Sequence, residues 1–208
     1  MNENDLVTEP ARAAVVEIKE RRSRFIASLD VAKSEDEARE FIRATSQNHA
    51  EANHNCWAYR VGSSGTVEYF SDAGEPSGTA GKPILGAILR ADVVNAVVIV
   101  TRYFGGTKLG VRGLIEAYGK CASLALDAAG RKRRVRSRKA FVECSYEYAQ
   151  AIIRQLMEIG IPEEGIAPEW GSCVRLVVEV PLALAGGAEP FFEGYAERGF
   201  ITCWGWGK

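Results

Sequence analysis

The sequence predicts an α+β protein of two compact units, and three observations carry that expectation. Strand-like runs and helical stripes alternate along all 208 residues, a length that gives each unit room for its own core. The order strand, helix, strand, strand, helix, strand over residues 140–208 is that of a ferredoxin-like domain. Gly130 and a basic run separate that part from what precedes it. The expected organisation is an N-terminal domain over 1–130, a basic linker over 131–139 and a C-terminal domain over 140–208.

Ala13 to Ile18 and Arg24 to Leu29 read as hairpin strands joined by the charged turn Lys19-Glu-Arg-Arg22. Ser34 and Glu37 have capping-box spacing, and Ala38, Phe41, Ile42 and Thr45 follow at helical intervals, so a helix should run to just before Asn48-His49. Asn55 to Val61 and Thr66 to Phe70 are aromatic and β-branched, hence strands, with Gly62-Ser-Ser-Gly65 as their turn. These four strands suggest an antiparallel sheet. Pro83 suits a first helical position, with Ile84, Leu85, Ile88 and Leu89 as the apolar stripe of a short helix. Ala96 to Val100 is an uninterrupted β-branched run, as in a strand covered on both faces. Val111, Leu114, Ile115, Tyr118, Ala122 and Ala125 then mark a longer helix reaching about Ala128.

In the second unit, Ala140 to Cys144 is a strand, Tyr148 to Ile159 a helix stopped by Gly160, and Ile166 to Trp170 a strand. Gly171-Ser172 is read as a two-residue turn into the strand Cys173 to Val180. A helix from Glu189 to Arg198 and a strand from Phe200 to Trp204 complete the order. Trp204 and Trp206 are expected to pack against the sheet or the other domain.

Composition narrows the function classes. The 47% hydrophobic and 25% charged content is that of an ordinary globular chain, and no apolar run approaches the roughly 18–20 residues of a membrane helix. Met1 to Asp5 is polar and acidic where a signal peptide is basic and then apolar, which points to the cytoplasm and away from a membrane. Cys56, Cys121, Cys144, Cys173 and Cys203 are scattered, and with only His49 and His54 beside them no metal-ligand spacing appears. His54 and Cys56 lie two residues apart and share a face of an extended chain, so a Cys-His nucleophile and plain core packing both remain open. The formal net charge of −1 hides seven cations within nine residues: Arg131, Lys132, Arg133, Arg134, Arg136, Arg138 and Lys139. Such a run either contacts phosphate backbones or forms a solvated linker.

Two glycine-rich loops concentrate the candidate chemistry. The segment from Val100 to Gly113 leaves a buried strand and enters a helix, so backbone donors and the helix dipole converge near Gly106 to Gly113, with Arg102, Lys108 and Arg112 adding positive charge. That arrangement suits a phosphate, although neither standard phosphate-loop spacing is present. Glycines that merely let a helix pack on a sheet are the alternative. In Ser71 to Pro83, Asp72 and Glu75 can hold a cation, act as acid and base, or satisfy turn amides; Arg60, Lys82 and Arg102 are candidate partners.

At these loops the sequence resembles the YigZ/IMPACT family. The motifs are Ser23-Arg-Phe-Ile26, His54-Asn-Cys-Trp-Ala-Tyr-Arg60, Ser71-Asp-Ala-Gly-Glu-Pro-Ser-Gly-Thr-Ala-Gly-Lys-Pro-Ile-Leu85, and Val100-Thr-Arg-Tyr-Phe-Gly-Gly-Thr-Lys-Leu-Gly110 with Gly113-Leu114 and Ala117-Tyr-Gly119. The resemblance implies a two-layer α/β first domain like the fourth domain of elongation factor G, and a ferredoxin-like second domain like its fifth. It implies contact with RNA or the ribosome, a role in translational control and a translation-related protein partner, and it supplies no catalytic residue, metal or cofactor. The expectation is a non-enzymatic RNA- or ribosome-binding protein using Arg102, Gly105, Gly106, Lys108, Arg112, Arg131, Arg133 and Arg134, with Asp72, Glu75, Lys82 and His54 as further loop candidates. An enzyme acting on a phosphorylated small molecule or nucleotide and a protein-interaction module are the alternatives.

Overall fold

The computed structural model describes residues 6–62 and 66–207. The acidic segment Met1 to Asp5 and most of the Gly62–Gly65 turn lie outside the described residues. The chain divides into two compact units, one of residues 7–134 and the other chiefly of 135–208.

The first unit is built on a five-stranded sheet. In chain order, β1 is Leu6–Pro10, β2 Ala14–Glu20, β3 Ser23–Val31, α1 Glu35–Asn48, β4 His54–Val61, β5 Val67–Ser71, α2 Gly81–Arg90, β6 Ala96–Tyr103, α3 Gly110–Ala129 and β7 Arg131–Val135. The sheet order is β2-β3-β6-β4-β5, with every pairing antiparallel. The apolar run of β6 is thus the central strand, and it joins the two expected hairpins into one sheet.

Strand alternation sorts the side chains onto two faces. Phe25, Ala27 and Leu29 of β3, Cys56 and Ala58 of β4, and Ala96, Val98 and Val100 of β6 face α2 and α3 and form the main core. The opposite residues Tyr59, Val61 and Val97 pack with Ala38, Phe41 and Ile42 of α1. Ser34 caps α1 by accepting from the Glu37 amide at 3.2 Å, while the Glu37 carboxylate accepts from the Lys33 amide at 2.7 Å, one residue before the expected capping-box partner. Helix α2 begins at Gly81, so Pro83 occupies its third position. Its buried stripe runs through Ile84, Ala87 and Ile88, whereas Leu89 is exposed.

The basic run differs from the expected linker. Arg131–Val135 is strand β7, paired with β1. Lys132 and Arg134 flank the fully buried carboxylate of Glu9 at 3.3 and 3.8 Å, and Arg131 approaches Asp127 at 4.0 Å. A buried carboxylate needs compensating cations, and this strand supplies them.

The second unit has β8 (Ser137–Cys144), α4 (Tyr146–Glu158), β9 (Ile166–Trp170), β10 (Val174–Pro181), α5 (Leu182–Glu197) and β11 (Cys203–Trp206). Its order β11-β8-β10-β9 and antiparallel pairings are those of a ferredoxin-like sheet. Three details depart from expectation. Val174 pairs with Trp170, so the turn holds three residues, Gly171 to Cys173. Helix α5 starts seven residues early, because Gly186, Gly187 and Pro190 mask its pattern without breaking it. The last strand begins at Cys203 rather than Phe200. Trp204 and Trp206 pack against Phe192, at ring separations of 5.2 and 6.2 Å.

One close approach in the first unit is specific to glycine. A Cβ on Gly105 would lie 1.9 Å from the carbonyl oxygen of Arg22, inside any allowed contact. Gly105→Ala therefore separates the 104–109 loop from the β2–β3 turn. It should lower stability by about 3 kcal/mol, the upper end for overpacking, read from the urea midpoint; an unchanged midpoint would show that the two loops part without cost.

Candidate functional site

The site lies where β3, β4 and β6 end together beneath α3. His54 on β4 pairs in register with Arg102 on β6, and Arg102 in turn with Phe25 on β3. Arg102 continues the face that carries Val98 and Val100, so the alternation that builds the core also drives a guanidinium into it. Its side chain is only 6% exposed, and that of Glu75, on the loop before α2, only 4%.

These two buried charges neutralise each other. Arg102 Nη1 donates to Glu75 Oε1 at 2.5 Å, and the hydroxyl of Tyr118 on α3 donates to the same oxygen at 2.9 Å. Ser23 Oγ accepts from Arg102 Nη2 at 3.4 Å and from the Gly105 amide at 3.3 Å. The guanidinium lies over the rings of Phe25 and Phe104, 5.4 Å from each centre. Arg102, expected as a mobile surface cation for an anion, is instead a fixed internal one.

Asp72 and Glu75 do not act as a pair. The Asp72 carboxylate accepts from the amides of Gly78, Ala80 and Gly81 at 2.8–2.9 Å and so fixes the turn that begins α2. Burial alone would raise its pKa; the three amide donors outweigh that and hold the carboxyl below the usual range. Among the described residues no three His, Cys, Asp or Glu side chains converge as metal ligands. Lys82 is exposed in the first turn of α2.

His54 and Cys56 share a face, as their spacing implies, but do not form a nucleophile pair. Cys56 is fully buried; its thiol donates to the Asp72 carbonyl at 2.9 Å and lies 3.5 Å from the Tyr118 hydroxyl. Burial pushes that thiol up to about 12, so it carries no thiolate at neutral pH. Burial likewise raises the Tyr118 phenol, which keeps its proton and its donor role. His54 Nδ1 donates to the Ala73 carbonyl at 3.0 Å, while Nε2 points toward Glu75 Oε1, 4.0 Å away.

Above this network opens a cavity of about 490 Å³. Glu75, Arg102 and His54 form its polar side, and Phe104, Lys108, Leu109, Val111 and Leu114 line the rest. Lys108, Gly106 and Arg112 are exposed, and Arg112 is engaged by Glu116 at 2.8 Å on the helix surface. Arg133 is exposed on β7, but Arg131 and Arg134 of the same strand are held by the carboxylates described above, and none of the three lines the cavity. Ser23, Phe104 and Tyr118 stand in the family motifs, and Tyr118 in the apolar stripe of α3, but none is among the expected site residues; a buried tyrosine whose hydroxyl needs a partner is the available signal.

Two outcomes follow. Arg102→Ala leaves Glu75 buried and unpaired and should cost about 3–5 kcal/mol in urea unfolding, whereas the double variant Glu75→Gln/Arg102→Met, which leaves no lone charge, should cost less. Because the Asp72 pKa is lowered on folding, its contribution is complete above the unfolded value near ~4 and is lost as pH falls through the folded value. Asp72→Asn should flatten the acid limb of stability against pH, checked by thermal melts from pH 7 down to ~3.

Comparison with known proteins places the chain in a family. The Impact N-terminal domain matches residues 21–126, a stretch that contains every residue of the network. IMPACT family member YvyE of Bacillus subtilis is 41% identical over 142 residues, 68% of this chain and 65% of its own length. IMPACT family member YigZ of Escherichia coli is 33% identical over 145 residues, 69% and 71% of the two chains. A solved structure described as "Crystal structure of an hypothetical protein" superposes with a TM-score of 0.69 at 28% identity over 95% of both chains. On the match to the Impact N-terminal domain and the identity to these relatives, the chain belongs to the YigZ/IMPACT family.

Proposed function

We propose that this protein binds RNA, with the ribosome as its target, and so regulates translation. The observation that carries this reading is the positive end of the first unit. The β2–β3 turn presents Arg21 and Arg22 in left-handed conformation, with φ of 41° and 70°, and Gly105 holds the second glycine-rich loop against it. Lys108 is exposed on that loop. A second hollow of about 200 Å³ is lined by Arg21 and Lys120 together with Glu20, Glu116, Leu109 and Gly113. Between these cations lies the start of α3, a 20-residue helix with no acidic residue in its first turn and no side-chain cap. Its first amides and dipole favour phosphate.

Family membership supports the reading, since the resemblance carries a link to translational control. The exposed cations of β7 are secondary to this end, because Lys132 and Arg134 serve Glu9. No helix among the described residues is long and apolar enough to cross a membrane.

The test is cosedimentation with ribosomes across a salt series, for the wild type and for Arg21→Gln/Lys108→Gln/Lys120→Gln. Binding should weaken as salt rises, and the variant should bind less tightly with a flatter dependence, by about 0.7 in log–log slope for each lost contact to single-stranded RNA. Absence of binding at low salt, or binding indifferent to salt and to the variant, would overturn the proposal.

A further inference from the structure

The cavity beside α3 has more chemistry than phosphate binding requires. Glu75 is almost wholly buried, yet its protein hydrogen bonds among the described residues all fall on Oε1; Oε2 is left for a ligand. His54 commits Nδ1 as a donor to Ala73, so the neutral ring presents Nε2 as an acceptor. Nε2 lies 4.0 Å from Oε1 of the Glu75 carboxylate, and both residues line the cavity. Two neighbouring acceptors therefore face one space, on a side where Arg102 has already cancelled the carboxylate charge.

That pairing selects its ligand. A free ammonium gains little from a carboxylate already bound to arginine. A planar group with two adjacent N–H donors on one edge fits two adjacent acceptors. Among the four RNA bases only guanine has such an edge, N1–H beside the N2 amino group; adenine, cytosine and uracil carry no two adjacent donors there. Phe104 lines the same cavity, is 44% exposed, and is backed by the Arg102 guanidinium, which provides an aromatic face for stacking. Lys108 and the start of α3, at Gly110 and Val111, border the cavity and suit the attached phosphate. The volume of about 490 Å³ lies within the range of small-ligand pockets, roughly 300–1,000 Å³.

We propose that this cavity takes up a single unpaired guanine nucleotide of the bound RNA, with the base read by Glu75 and His54 and stacked on Phe104. The inference rests on the RNA-binding reading above and assigns that reading its base preference. Unpaired bases are the usual targets of sequence-selective RNA recognition, because their edges are free.

The experiment measures affinities of labelled seven-nucleotide uridine oligomers carrying one central guanine, adenine, cytosine or inosine. The guanine oligomer should bind about tenfold more tightly than the adenine and cytosine oligomers. Inosine, which lacks the N2 amino group, should fall to their level. His54→Leu and Glu75→Gln should erase the preference, and Phe104→Ala should weaken all four oligomers by about tenfold. Val111→Trp changes an exposed residue at the cavity wall and should abolish the preference for guanine even if Glu75→Gln fails to fold. Equal binding of all four oligomers, or of guanine and inosine, would overturn the base assignment while leaving RNA binding intact. Failure of every oligomer and of ribosomes to bind would remove the underlying function instead.

Discussion

The ion pair of Glu75 with Arg102 is the constraint on which the functional end of the first unit depends. Each charge is buried, and neither would be tolerated there alone. Arg102 arrives on the central strand, Glu75 on the loop ahead of α2, Tyr118 from the middle of α3 and Ser23 from the start of β3. Four elements distant in sequence are thereby fixed to within hydrogen-bonding distance. Replacing the network with apolar residues of similar volume would serve the core as well, so what it secures is the placement of loops rather than net stability.

Asp72 complements that arrangement at short range. Its carboxylate gathers three amides from the turn 78–81, which sets where α2 starts and where Glu75 leaves the loop. Cys56 adds a bond to the Asp72 carbonyl from the core side. Two acidic residues three apart thus do different work. One organises backbone, and the other holds a side-chain cation.

Much of the fold could be read from local pattern. Ser34 before Glu37, the glycine after α4 and the β-branched run of β6 each reflect physics confined to a few residues. The site was legible as two loops but not as a pairing. Alternation with Val98 and Val100 puts Arg102 on the core face, but nothing local names the carboxylate that meets it there, which lies 27 residues earlier. The basic run misled for a related reason. Its cations look solvated until Glu9 is known to be buried beside them, and that pairing spans the length of the unit. Helix α5 was under-read because Gly186, Gly187 and Pro190 have poor helical propensity, which packing of Ala188 and Phe192 overrides.

The position of β6 has a consequence for how the chain acquires its structure. Both β2–β3 and β4–β5 are local hairpins that can form early, yet each pairs with β6, which comes after them all. During synthesis the first unit must hold two unjoined ribbons, their inner edges open, until residue 103 has been made, and β1 waits longer still for β7. Such long-range closure is slow and leaves strand edges exposed meanwhile. The apolar strand that completes the sheet is therefore also the segment whose arrival ends the interval of greatest risk of aggregation.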